Sequence, residues 1–212
     1  MKKIIFATAI LCLFLLPSCK NALKSVTGRQ LDNKEDLEYA LNIIKERVEK
    51  KKVPEASIDG SGRELKNSID YVRIYDLSDK NEVSSEMIGI GSEYSSIHTY
   101  EPSDNHNSNA DRRGDPTAIS GLDPAILNAD LLMQVLEKAK AILVKDVPEY
   151  TFKVVGGWDF EVENWSWKPA MKKTIGKLTL HVTKASDSQY TSNYYYEVKF
   201  NFDKDGNVTL ID

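Results

Sequence analysis

Cysteine and histidine are nearly missing from these 212 residues. There are two cysteines, Cys12 and Cys19, and three histidines, His98, His106 and His181. No residue after Cys19 can enter an intramolecular disulfide, and no thiol beyond it is available as a nucleophile or metal ligand. A Gly-x-Ser-x-Gly elbow and a phosphate loop are also lacking. Gly89-Ile90-Gly91 has neither the third glycine nor the following helix of a dinucleotide-binding turn. The one long apolar run, residues 4–16, is too short to span a bilayer, which takes roughly 20 residues. Positive charge is not in excess: 28 Lys and Arg stand against 32 Asp and Glu, a formal net charge of −4. That balance argues against nucleic acid or anionic lipid head groups as partners.

What is present begins with that apolar run. Lys2 and Lys3 precede it, and Leu16-Pro17-Ser18-Cys19 closes it. The layout of a charged start followed by an apolar stretch of about a dozen residues is that of an export signal. No Ala-x-Ala-like cleavage site follows. The segment instead resembles a bacterial lipoprotein signal, whose lipobox places Leu three residues before an obligatory Cys and a small residue just before it. The resemblance implies cleavage of residues 1–18 and acylation of Cys19. Several acyl chains, at about 0.8 kcal/mol per buried methylene, hold a protein firmly at a membrane. Loss of Lys2 and Lys3 with the leader would make the net charge −6. Lys20-Asn21-Ala22-Leu23 follows the cysteine, with no acidic residue of the kind that marks surface export or inner-membrane retention. The expected address is the outer membrane, on its periplasmic face rather than the cell surface. Residues 19–34 read as a tether.

The rest of the chain contains an internal repeat. Residues 36–55 and 130–149, offset by 94, are identical at 6 of 20 positions: Asp36/Asp130, Leu37/Leu131, Lys51/Lys145, Val53/Val147, Pro54/Pro148 and Glu55/Glu149. Each copy has helical periodicity. Leu37, Leu41, Ile44 and Val48 form one stripe in the first, while Leu131, Val135 and Ile142 with Leu132, Leu136, Ala139 and Leu143 cover a wider arc in the second. Pro54 and Pro148 are expected to stop both helices at the same place. Asp123-Pro124 has the form of a cap and first turn, so the second helix is expected to begin well before Asp130. Strands are expected at 56–58, 69–75, 87–91 and 97–100 after the first helix, and at 151–163, 174–183, 194–202 and 208–211 after the second. Asp205-Gly206 marks a hairpin between the last two.

The predicted fold class is α+β, in two tandem halves that each add a four-stranded antiparallel sheet to a helix. The first half is residues 35–100 and the second 122–212, joined by a linker at 101–121. This layout resembles that of β-lactamase inhibitory protein, without any matching motif.

Candidate sites are few. Trp158, Trp165 and Trp167 fall within ten residues in a segment peculiar to the second half. Exposed tryptophans stack on sugars or anchor protein interfaces, while buried ones pack in a core. Asp159, Glu161 and Glu163 alternate along a strand, as paired glycosidase carboxylates or a solvated face would. His98 and His106 flank Asp104, with Asp111 nearby, but metal ligands usually stand on preorganised elements. His181 alternates with Leu180 and Val182 and is expected on the solvent face. Asp203-Lys204-Asp205-Gly206-Asn207 lacks the closing acid of a calcium loop. Arg113-Gly114-Asp115 is an integrin-type tripeptide in the linker.

The expectation is a lipid-anchored envelope binding protein with no catalytic residue, cofactor or metal. It would be held to the membrane by Cys19 and would bind a protein or glycan through Trp158, Trp165 and Trp167. The alternatives are an envelope hydrolase using the strand carboxylates, or a proteinaceous inhibitor of a secreted enzyme.

Overall fold

In the computed structural model, residues 28–60, 65–78, 83–90, 97–100, 120–163, 173–187 and 195–211 are described, with 97–100 described as backbone only. The leader, Cys19, the residues around Arg113, and Trp165 and Trp167 lie outside these ranges.

The chain is α+β. Helix α1 spans Lys34–Val48, and strands β1 (Glu55–Gly60), β2 (Ile69–Leu77), β3 (Val83–Gly89) and β4 (Ile97–Tyr100) follow it. Helix α2 spans Ala129–Asp146 and precedes β5 (Tyr150–Val162), β6 (Thr174–Lys184), β7 (Tyr196–Phe202) and β8 (Val208–Leu210). The strands do not form two separate four-stranded sheets. All of them join one antiparallel sheet in the order β4-β3-β2-β1-β5-β6-β7-β8. The seam is the β1–β5 pair, where Glu55 faces Glu161, Ser57 faces Asp159 and Ile58 faces Trp158. A single core runs across it. Ala56, Ile58, Val72 and Ile74 from one side meet Trp158, Phe160, Leu178, Leu180 and Phe200 from the other. Two small sheets would each expose an edge at this seam, and joining them removes both edges while pooling the apolar area.

Both helices close over the same face. α1 buries Leu37, Ala40, Leu41 and Ile44, and α2 buries Leu132, Val135, Leu136, Ala139 and Leu143. Asn33 and Asn128 cap them, each accepting backbone N–H bonds from the first turn, which satisfies donors that a helix start leaves open. The prolines do not stop the helices at matching positions. α1 ends at Val48, six residues before Pro54, whereas α2 runs to Asp146, two before Pro148. Nor does α2 start early: Asp123 caps a separate 3-10 turn, Pro124–Ile126, and Asn128 starts the helix afresh. The repeat's identical residues also diverge in environment. Asp36 is buried and takes bonds from Arg29 and the Gln30 N–H, while Asp130 is exposed and pairs with Lys34.

Two contacts show how closely the covered face is packed. The Phe202 ring lies on Gly176, where an added Cβ would sit 2.1 Å from the ring. Trp158 is completely buried, edge-on to Phe202, and its indole N–H donates to the Leu31 carbonyl at 3.0 Å. Trp158 is therefore core and not a binding residue. Its partners at positions 31 and 202 are too distant in sequence for local patterning to reveal.

Candidate functional site

Alternation along the strands sends every second side chain away from the helices. The register pairs these positions across the opposite, open face. From β2 come Tyr71, Arg73 and Tyr75, and from β1 come Glu55, Ser57 and Asp59. β5 contributes Asp159 and Glu161, β6 contributes Lys177, Thr179 and His181, and β7 contributes Glu197 and Lys199. The face is polar almost throughout, and no helix among the described residues covers it.

Near its centre lies a depression of about 240 Å³, lined by Asp59, Gly60, Tyr71, Gly156, Gly157, Asp159, Thr179, His181, Glu197 and Lys199. The glycine pair forms part of its lining and lets the His181 ring lie against the β5 backbone. At Gly156 the β5–β6 register slips, so the chain carries an extra residue there, as in a β-bulge. A Cβ on Gly156 would stand 2.5 Å from His181 Nε2, and one on Gly157 would be 3.4 Å from Asp59 Oδ1. Any side chain at 156 would collide with the imidazole.

The carboxylates are not equivalent. Glu161 is paired with Lys177 at 2.7 Å, and Glu197 with Lys199 at 3.1 Å. Asp59 accepts the Ser57 hydroxyl at 2.5 Å and lies near Arg73. Asp159 has neither a hydrogen bond nor an ion pair among the described residues, although Lys177 faces it across β6. Burial, then the charges of Asp59 and Glu55, push its pKa up to about 6. Burial also raises the pKa of Asp59. The ionised form of each is disfavoured because little water reaches it; at Asp159 the neighbouring carboxylates add repulsion, whereas at Asp59 the Ser57 hydrogen bond and the Arg73 charge oppose the shift.

His181 does face away from the helices, but it is not a surface residue. It is 5% exposed, stacked on Tyr195 with ring centroids 4.1 Å apart. Its Nδ1 has no hydrogen-bond partner among the described residues. Burial lowers its pKa, with Glu197 opposing, so the ring is held neutral.

Of the residues named from sequence, Asp159 lines the depression. Glu161 is beside it but committed to Lys177, and Glu163 follows the end of β5, where its N–H bonds the Lys173 carbonyl. Trp158 faces the opposite side of the sheet. His98 lies on β4 opposite Met87, while His106, Asp104 and Asp111 fall outside the described residues. Among the described residues no cluster of three or more His, Cys, Asp or Glu is placed to hold a metal ion. The Asp203–Asn207 segment is a hairpin turn: Asp203 accepts the N–H groups of Asp205 and Asn207, and Gly206 has φ of 74°. No helix among these residues is long and apolar enough to cross a membrane.

Sequence reasoning missed Asp59, Tyr71 and Gly156. One signal was available: a Gly-Gly pair inside a strand, which marks a bulge or a close approach. The chain matches no known protein-family profile, no curated protein and no solved structure.

Proposed function

We propose that this chain is a lipid-anchored cell-envelope protein that binds its partner, protein or glycan, on the open face of the sheet and performs no chemistry on it. The observation that carries the reading is the asymmetry of the sheet. Two helices seal one face, while the other presents a broad polar surface with a depression near its centre. A partner laid there meets aromatic, acidic and basic side chains on rigid strands, the kind of support that gives a precise site. Trp165 and Trp167, which follow β5 in sequence, belong to the same proposal as partner-binding residues.

The anchor rests on Leu16-Pro17-Ser18-Cys19. Acylation at Cys19, attachment to the outer membrane and a periplasmic orientation belong to the same proposal. The two halves, each a helix with four strands, are read as diverged copies of one unit, supported by the identities between residues 36–55 and 130–149.

The test has two parts. Metabolic labelling with a fatty acid is expected to mark the wild type and not Cys19→Ala. A pull-down from envelope fractions is expected to recover a partner with the wild type and lose it with Thr209→Trp, which puts bulk on the open face. Recovery unchanged by Thr209→Trp and by substitutions at Tyr75 would overturn the binding face.

A second reading has one observation in its favour. Asp159, with a pKa of about 6 beside Asp59 in a depression, has the tuning of a general acid. An envelope hydrolase using Asp159 would lose turnover in Asp159→Asn, and its rate would follow a group titrating near pH 6. An inhibitor of a secreted enzyme would use the same face, and a pull-down recovering an active hydrolase would point to it.

A further inference from the structure

We infer that the depression on the open face receives a cationic side chain of a polypeptide partner, arginine in preference to lysine. The inference rests on the binding reading above and names the chemistry of its central contact.

The charges around the depression are unevenly matched. Lys177 and Lys199 are taken up by Glu161 and Glu197. Arg73 stands near Asp59, with its Nη2 donating to the Tyr71 hydroxyl at 3.3 Å. Asp159 is left with no ion pair and no hydrogen bond among the described residues. A half-buried carboxylate without a partner is costly unless something arrives to pair with it. An anionic ligand would worsen the imbalance, and a neutral one would displace water from Asp159 without replacing its hydration.

The shape supports a flat cation. Gly156 and Gly157 line the depression without side chains of their own, and the His181 imidazole rests against Gly156, which makes that ring part of the wall. Asp59 and Asp159 offer carboxylate oxygens from adjacent strands, and Tyr71 supplies an aromatic wall. A guanidinium has five donors in a plane and stacks on aromatic faces, whereas an ammonium is a compact and strongly hydrated point. His181 adds an independent sign of incompletion. It lines the depression while almost fully buried, and its Nδ1 has no hydrogen-bond partner among the described residues. Its neutral ring does not repel an incoming cation.

The test uses the full chain in detergent with ¹⁵N-labelled glycine, following the amide signals of Gly156 and Gly157. The probes are N-acetyl-arginine amide, N-acetyl-lysine amide and the uncharged isostere N-acetyl-citrulline amide. Saturable shifts are expected with the arginine probe, weaker ones with lysine and none with citrulline. Asp159→Asn is expected to weaken the arginine probe by about tenfold or more. Equal responses to arginine and citrulline, no saturable shift with either, or undiminished binding in Asp159→Asn would each overturn the inference. The two readings fail differently. Capture of an envelope partner that survives in Asp159→Asn but is lost in Thr209→Trp would retain the binding face and remove the cation site.

Discussion

The two faces of the sheet are made by the same strands and have opposite character. On β5, Trp158, Phe160 and Val162 are sealed beneath the helices, while Asp159 and Glu161 between them stand on the open side. The covered face meets the needs of its groups: its core side chains are apolar, the Trp158 indole N–H reaches a carbonyl, and Glu86 on that side is paired with Arg47. The open face leaves needs unmet: among the described residues Asp159 has no ion pair or hydrogen bond and His181 Nδ1 has no hydrogen-bond partner. Folding accounts for the first face completely. The second carries free-energy costs that folding does not explain, which is common where a surface serves binding.

This contrast can be broken most sharply on the covered side. Trp158→Ala removes a completely buried indole and its hydrogen bond to Leu31, and is expected to cost about 3–5 kcal/mol in denaturant unfolding. A loss under 1 kcal/mol would mean that the tryptophan is not a core residue.

On the open face the sign should reverse. The folded Asp159 carboxyl holds its proton more tightly than the unfolded one, so ionisation works against the fold. That penalty is absent below about pH 4, grows as pH rises to about 6, and is complete above it. Asp159→Asn is therefore expected to stabilise the protein at pH 7, by at most about 3 kcal/mol for a shift of about two units. The gain over wild type should shrink as pH falls from 6 to 4. A variant less stable than wild type at pH 7 would show that Asp159 serves the fold.

His181 slopes the other way. Its pKa is lowered by burial, so the folded state binds fewer protons than the unfolded one. Its contribution is full above pH 6.5 and is lost as pH falls through the unfolded value toward the lower folded one. With the opposing Asp159 slope removed, Asp159→Asn should lose stability on acidification more steeply than wild type, as thermal unfolding across pH 4 to 7 would register.

A smaller effect is expected where the helix meets the sheet. Arg47 of α1 makes two 2.9 Å bonds to Glu86 of β3, both side chains being partly exposed. A double-mutant cycle with alanine at both positions should give a coupling of about 1 kcal/mol. The smallest effect belongs to Thr209→Trp on the open side of β8, which is expected to change stability by under about 0.5 kcal/mol while blocking a partner.

Much of the covered face was legible in the amino-acid order. Leu132, Leu136, Ala139 and Leu143 recur at helical spacing, and Leu178, Leu180 and Val182 alternate, because local geometry sets those periods. The same alternation placed Asp159 and Glu161 on one face of β5. It could not separate them, because what distinguishes the two is Lys177, which reaches Glu161 from another strand. His181 was expected in solvent for the same reason: its direction follows from alternation, but its burial comes from Tyr195, fourteen residues away.

By itself, the order of residues determined the elements and the direction in which each strand residue points. Periodicity, capping and turn chemistry are local and act within a few residues. Only the tertiary structure decided that eight strands make one sheet, that Trp158 belongs to its core, and that Asp59 and Asp159 meet beside the Gly156-Gly157 pair. Those outcomes depend on register between strands about a hundred residues apart. Which carboxylate stays unpaired depends in turn on which cation the neighbouring strand delivers.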